Sequence, residues 1–110
     1  MSAQLTVVAF VDDLMDRSRV SAAVPGIRFA RAIDELLVDS DAAPIDVVVI
    51  DLVRYASKVE QARAFVPHAR FIGFAPHVSE IVRDEAVSGV DVALPRSRFF
   101  HDIRAAIGYS

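Results

Sequence analysis

Short apolar runs alternate along the chain with stretches whose apolar residues recur every three or four positions. The five runs cover residues 5–11, 27–30, 45–50, 71–74 and 90–94. The third is rich in β-branched residues, which is typical of a strand covered on both faces of a sheet. The second is short, contains Arg28 and is followed by Arg31, which favours an edge strand. We therefore predict five strands, with the third at the centre.

The stretches between and after the runs have the period of amphipathic helices, because spacings of three and four place side chains on one helical face. We expect Asp13 and Ser97 to be helix N-caps, and residues 25–26 and 88–89 to end helices. The positions expected to face the core are Leu14, Met15, Val20 and Val24, then Ile33, Leu36 and Leu37, then Val59, Ala62, Phe65 and Val66, then Val78, Ile81, Val82 and Ala86, and finally Phe99, Phe100, Ile103 and Ile107.

Five strand–helix repeats imply right-handed crossovers and a parallel sheet. The predicted fold class is therefore α/β, a three-layer αβα sandwich. With an edge strand second and a buried strand third, the flavodoxin-like order 2-1-3-4-5 fits the five-stranded parallel sheet best.

Composition narrows the range of functions. The chain has 110 residues, which is enough for one domain, and a formal net charge of -3 with no cysteine. Zinc–thiolate and iron–sulfur sites are excluded, and an acidic chain without a basic patch is not expected to bind nucleic acid directly. Apolar runs are too short to span a membrane, and no signal peptide is evident, so we expect a cytoplasmic protein. No nucleophile–base pair or phosphate-binding glycine loop is present, so we expect no enzymatic activity.

Charged residues follow three of the predicted strands. Asp12 and Asp13 come after the first strand, Asp51 after the third and Arg96 after the fifth. The carboxyl ends of parallel strands meet at the edge where such sheets bind ligands. Three carboxylates brought together there need a cation or a proton. Hard oxygen ligands of this kind suit Mg²⁺.

The acidic pair after the first strand and the single Asp after the third resemble the receiver domain of bacterial response regulators. Residues 89–96, Gly-Val-Asp-Val-Ala-Leu-Pro-Arg, also align without gaps to the strand 5 region of that family, which ends in a lysine. The resemblance covers nearly the whole chain and implies a single receiver-like domain over residues 1–110, acting in two-component signal transduction or a phosphorelay.

The resemblance also implies roles for particular residues. Asp51 is the implied phosphoacceptor, and Arg96 stands at the lysine position. Asp12 and Asp13 hold Mg²⁺ together with Asp51, helped by the backbone carbonyl of Val53. The implied partner is a histidine kinase or another signalling protein, reached through protein–protein contacts.

The chain departs from the family pattern at several positions. Ala75 replaces the hydroxyl residue, Ala93 replaces the switch aromatic, Tyr55 stands where a proline is usual, and Arg96 keeps a charge but not the geometry of lysine. The alternative is a degenerate receiver that is not phosphorylated and serves as a constitutive docking or dimerisation module. An exposed Phe on the last helix would suit a homodimer.

Structural interpretations of the acids also remain open. Asp13 suits a helix cap, and Asp51 a solvated strand end or a partner of Arg54 or Arg96. In one such arrangement Arg96 bridges Asp51 and Asp12 and replaces the metal ion. The second alternative for the whole chain is a small flavodoxin-like subunit that binds a nucleotide or cofactor at the same strand ends.

Overall fold

A computed structural model of the protein describes residues 5–36, 44–76 and 89–108. Its five strands form one parallel sheet in the order β2-β1-β3-β4-β5, which confirms the predicted fold class and strand order. The strands are β1 (Val7–Phe10), β2 (Arg28–Phe29), β3 (Val47–Asp51), β4 (Arg70–Ala75) and β5 (Val92–Pro95).

The helices pack on both faces of the sheet. Within the described residues they are α1 (Leu14–Ala23), α2 (Leu52–Tyr55), a 3-10 turn (Ala56–Lys58), α3 (Val59–Phe65), α4 (Arg96–His101) and α5 (Ile103–Ile107). The predicted helical positions 37 and 78–86 lie outside the described residues. None of the helices in the described part of the chain has the length and apolarity needed to cross a membrane.

Alternate residues of the central strands enter two cores, because successive side chains of a strand point to opposite faces. The first core joins Val8 and Phe10 of β1 and Val48 and Ile50 of β3 to α2 and α3. The second joins Val7 and Ala9 of β1 and Val47 and Val49 of β3 to α1, α4 and α5; its helical members are Val20, Phe99, Ile103 and Ile107. This two-sided burial explains the continuous apolar runs in the sequence.

The first turn of α1 corrects the predicted helical face. Leu14 and Met15, expected in the core, are exposed, whereas Asp16 is buried. The inward positions are Asp16 and Val20, which are four residues apart and share one face. An apolar pattern cannot identify an inward position occupied by a carboxylate. Phe65, also expected to pack in the core, is partly exposed.

The end of the chain differs from the prediction of one helix capped by Ser97. Helix α4 begins at Arg96 directly after Pro95 without a side-chain cap, so Ser97 lies inside the helix. Asp102 leaves the helical conformation and caps α5, where its carboxylate accepts a hydrogen bond from the N–H of Ala105 at 3.1 Å. The predicted cap at Asp13 is confirmed, as is a turn at Gly26, whose positive φ of 86° favours glycine.

Candidate functional site

The strand register brings the predicted site residues to one edge. Phe10 of β1 pairs with Ile50 of β3, and Ala75 of β4 pairs with Pro95 of β5, so the residues that follow leave the sheet at the same level. A cavity of about 240 Å³ lies at this edge. The residues lining it are Asp13, Asp16, Asp51, Val53, Arg54, Phe74, Pro76 and Arg96.

Two of the predicted acids line this cavity and also begin helices. The carboxylate of Asp13 accepts a hydrogen bond from the N–H of Asp16 at 2.9 Å and caps α1. The carboxylate of Asp51 accepts one from the N–H of Val53 at 3.0 Å and caps α2. Each cap satisfies a backbone donor that has no partner within its helix. Part of the role of both acids is therefore structural.

Asp16 was not among the predicted site residues, yet it is the ion-pair partner of Arg96. Two guanidinium nitrogens of Arg96 donate to the two carboxylate oxygens of Asp16, with Nη1 to Oδ2 at 2.7 Å. Such a bidentate pair is a strong charge-assisted interaction. The hydrogen bonds to Asp16 raise the pKa of Arg96, and the charges of Asp51 and Asp13 raise it further. The predicted bridge from Arg96 to Asp51 and Asp12 is therefore replaced by a pair with Asp16.

Aromatic rings hold the Arg96 guanidinium in place. Its central carbon lies 4.8 Å from the ring centroid of Phe100 and 5.8 Å from that of Phe74. Phe74 stacks on Phe99 with the centroids 4.9 Å apart and meets Phe100 edge-on at 5.2 Å. Cation–π contacts of this kind favour a planar guanidinium over an ammonium group.

Asp12 faces a different neighbour and does not line the cavity. Its Oδ1 accepts a hydrogen bond from the hydroxyl of Tyr55 at 2.6 Å, and its Oδ2 lies 4.0 Å from Nη1 of Arg54. The ring of Tyr55 packs on that of Phe10 with the centroids 5.3 Å apart. Burial, followed by the hydrogen bond to Asp12, raises the pKa of Tyr55 to about 12. Tyr55, where the receiver pattern has a proline, thus ties α2 to the end of β1.

Asp51 is buried at this edge, and the neighbouring positive groups compensate its charge only in part. Burial raises its pKa, and the nearby carboxylate of Asp16 acts in the same direction. The N–H of Val53 and the guanidinium groups of Arg96 and Arg54 lower the pKa, but the net direction is upward. The edge therefore disfavours the ionised form of Asp51 and favours an additional positive charge.

The donor set differs from the one predicted for Mg²⁺. Among the described residues, no group of three or more carboxylates or histidines is close enough to hold a metal ion. Asp13, Asp51 and Val53 share the cavity, but Asp12 is bonded to Tyr55. Magnesium binding stays a prediction, and these residues do not provide the three-carboxylate site on which it depends.

Two positions at which the chain departs from the receiver pattern carry alanine, one at the end of β4 and one within β5. Ala75 is buried at the end of β4, where its methyl group offers no hydrogen bond. Ala93 lies in β5 and packs against the first core. His77, which the sequence places after β4, lies outside the described residues.

Asp16 had a signal in the sequence that apolar periodicity does not use. It follows Asp13 by three residues, and residues at this spacing are neighbours on a helix. It also precedes Val20 and Val24 by four and eight residues, so it belongs to the inward face of α1.

No family model, curated protein or solved structure matches the chain. The resemblance to receiver domains therefore depends on the residues quoted above and on the strand order, and it stays a prediction.

Proposed function

We propose that the chain is a receiver-like signalling domain that works through protein–protein contacts without phosphorylation of Asp51. The observation that carries this proposal is the ion pair between Asp16 and Arg96. The strand order and the acids at the carboxyl edge support the likeness to receivers, whereas the ion pair favours the non-phosphorylated alternative.

The ion pair engages the cation that phosphoryl transfer would need. Phosphoryl transfer depends on positive groups positioned around the transferred oxygens. Arg96 instead directs two nitrogens to Asp16 and lies against Phe100. Recruiting it to a phosphoryl group on Asp51 would leave Asp16 buried without its partner, which is costly.

Ala75 and Ala93 also favour the non-phosphorylated alternative. Ala75 offers no hydroxyl to contact a phosphoryl group, and Ala93 has no ring whose movement would report one. A domain with these residues has lost the parts that would couple modification to output. Its folded surface is therefore the element that a partner recognises.

A second candidate function is phosphorylation on Asp51 by a histidine kinase, with Mg²⁺ as cofactor. It is favoured by the fact that Asp13, Asp51 and Val53 line one cavity. This candidate requires Arg96 to leave Asp16, or a metal ion to bind with fewer carboxylates than predicted.

Incubation of the purified chain with acetyl phosphate and Mg²⁺, followed by intact-mass measurement, separates the two candidates. We expect no mass gain on the wild-type chain. Asp51→Asn is the matched control, because asparagine keeps the oxygen that caps α2 and removes the acceptor carboxylate. A gain of one phosphoryl group on the wild type but not on Asp51→Asn would overturn the proposal in favour of the second candidate.

A further inference from the structure

Three large apolar residues with exposed side chains belong to the two segments that line the cavity at the carboxyl edge of the sheet. Leu14 is 77% exposed, Met15 70% and Val53 65%. Leu14 and Met15 directly follow Asp13, which lines the cavity, and Val53 lines it directly. We call these three residues the apolar rim. The fourth large apolar side chain exposed in the described part of the chain, Phe65, lines a different cavity.

The rim is unusual for the edge of an isolated domain. Single exposed apolar residues are ordinary on protein surfaces, but exposed apolar residues in two segments that both border one polar cavity are typical of an interaction site. In α1 the outward placement of Leu14 and Met15 accompanies the inward placement of Asp16, which pairs with Arg96. The same turn thus builds the wall of the cavity and presents apolar side chains around it.

The cavity has an excess of negative charge. Its lining includes three carboxylates, Asp13, Asp16 and Asp51, and two guanidinium groups, Arg54 and Arg96, which leaves a formal charge of -1. Asp51 is more than nine-tenths buried, and within the described residues it accepts a hydrogen bond through Oδ1 alone. Its second oxygen is therefore available to a donor that enters the cavity.

We propose that this edge is a docking surface for a partner segment that inserts an arginine or lysine side chain toward Asp51 and lays apolar neighbours on the rim. The inference rests on the proposed non-phosphorylated function and names the chemistry of its partner. A cationic side chain neutralises the formal negative charge of the cavity, and its apolar neighbours cover Leu14, Met15 and Val53. Anionic partners, such as nucleic acid or an acidic lipid surface, meet like charge here and in the chain as a whole, whose formal net charge is -3.

The test is an NMR titration of the isotope-labelled full chain with the acetylated, amidated peptide Gly-Leu-Arg-Leu-Leu-Gly. We expect amide shifts concentrated at residues 13–15 and 51–54. A matched peptide with citrulline in place of arginine keeps the shape and removes the charge, and a second peptide with serine in place of each leucine keeps only the charge. Each control peptide should bind roughly tenfold more weakly, a loss of about 1.4 kcal/mol.

Variants of the chain test the two halves of the surface separately. Asp51→Asn should weaken binding of the arginine peptide roughly tenfold and leave binding of the citrulline peptide unchanged. The double variant Leu14→Ser, Met15→Ser should weaken binding of both peptides, because it removes two residues of the apolar rim. The variant should still fold, since both residues are exposed. Phe65→Gln, at the exposed apolar residue outside the rim, should have no effect on either peptide.

Several outcomes would overturn the proposal. Equal binding of the arginine and citrulline peptides would show that the cavity does not recognise a cation. Chemical shift changes scattered away from the edge would show that the peptide does not dock there. Shifts of the rim residues caused by anionic phosphatidylglycerol vesicles, or by raising the concentration of the chain alone, would assign the rim to a membrane or to a second copy. Phosphoryl transfer to Asp51 is measured independently, so failure of the proposed function and failure of this surface are distinguishable.

Discussion

The ion pair between Asp16 and Arg96 predicts an unequal response to removal of its two partners. The side chain of Asp16 is 3% exposed and that of Arg96 is 39% exposed. Arg96→Met leaves a buried carboxylate without a counter-charge, so we expect it to lower the free energy of unfolding by about 3–5 kcal/mol. Asp16→Asn leaves a guanidinium that water can reach and keeps one acceptor oxygen, so we expect a loss of about 1–2 kcal/mol.

The double variant provides the sharper test, because Asp16→Asn should change the free energy of unfolding in opposite directions with and without Arg96. In the Arg96→Met background, Asp16→Asn removes the unpaired buried charge and should stabilise the chain, although it destabilises the wild type. Urea unfolding at neutral pH measures all four free energies of the cycle. Arg54→Met is the matched control, since Arg54 is largely exposed and lies 4.0 Å from Asp12. We expect Arg54→Met to lower the free energy of unfolding by at most about 1 kcal/mol. Equal losses for Arg96→Met and Arg54→Met, or additive losses in the cycle, would refute the reasoning.

Two further predictions concern the other face of the sheet. A methyl group added at Gly73 would lie 2.7 Å from Cδ1 and Cγ of Leu52. Gly73→Ala should therefore cost about 1–3 kcal/mol in urea unfolding, and less than about 1 kcal/mol in a Leu52→Ala background; an unchanged cost would locate the strain elsewhere. The pKa of Tyr55 is about 12 in the folded chain, compared with about 10 when the chain is unfolded. The hydrogen-bonded, neutral Tyr55 therefore contributes its full stabilisation below pH 10, and this contribution is lost as the pH rises toward 12. An absorbance titration of tyrosinate should show the ionisation of Tyr55 near pH 12, and this ionisation step should be missing in Tyr55→Phe. Ionisation of Tyr55 near pH 10 would contradict the buried hydrogen bond to Asp12.

Much of the fold was predictable because apolar periodicity reports burial directly. Residues 47–50 are apolar on both faces, and β3 lies at the centre of the sheet; Arg28 lies in the short run that becomes the edge strand β2. Since parallel strands all end at one edge, the order of the strands also placed Asp13, Asp51 and Arg96 around one cavity.

The contacts that define the site were less predictable, since they join distant parts of the chain. Asp16 and Arg96 are 80 positions apart, and Asp12 and Tyr55 are 43 apart. Apolar patterns assign a carboxylate to the surface unless its partner is known. The error at Leu14 and Met15 follows from the same cause, because a helix that turns Asp16 inward must turn these residues outward.

The residues around Arg96 form one unit, which gives a physical reason for arginine rather than lysine at this position. Asp16 accepts from two nitrogens at once, which a guanidinium provides and a single ammonium group does not. Phe100 lies against the planar group, and Phe74 joins Phe100 to the end of β4. Arg96→Lys should therefore weaken both the pairing with Asp16 and the contact with Phe100. We therefore expect a change at any one of these residues to disturb the others, since together they stabilise this arrangement of the strand ends.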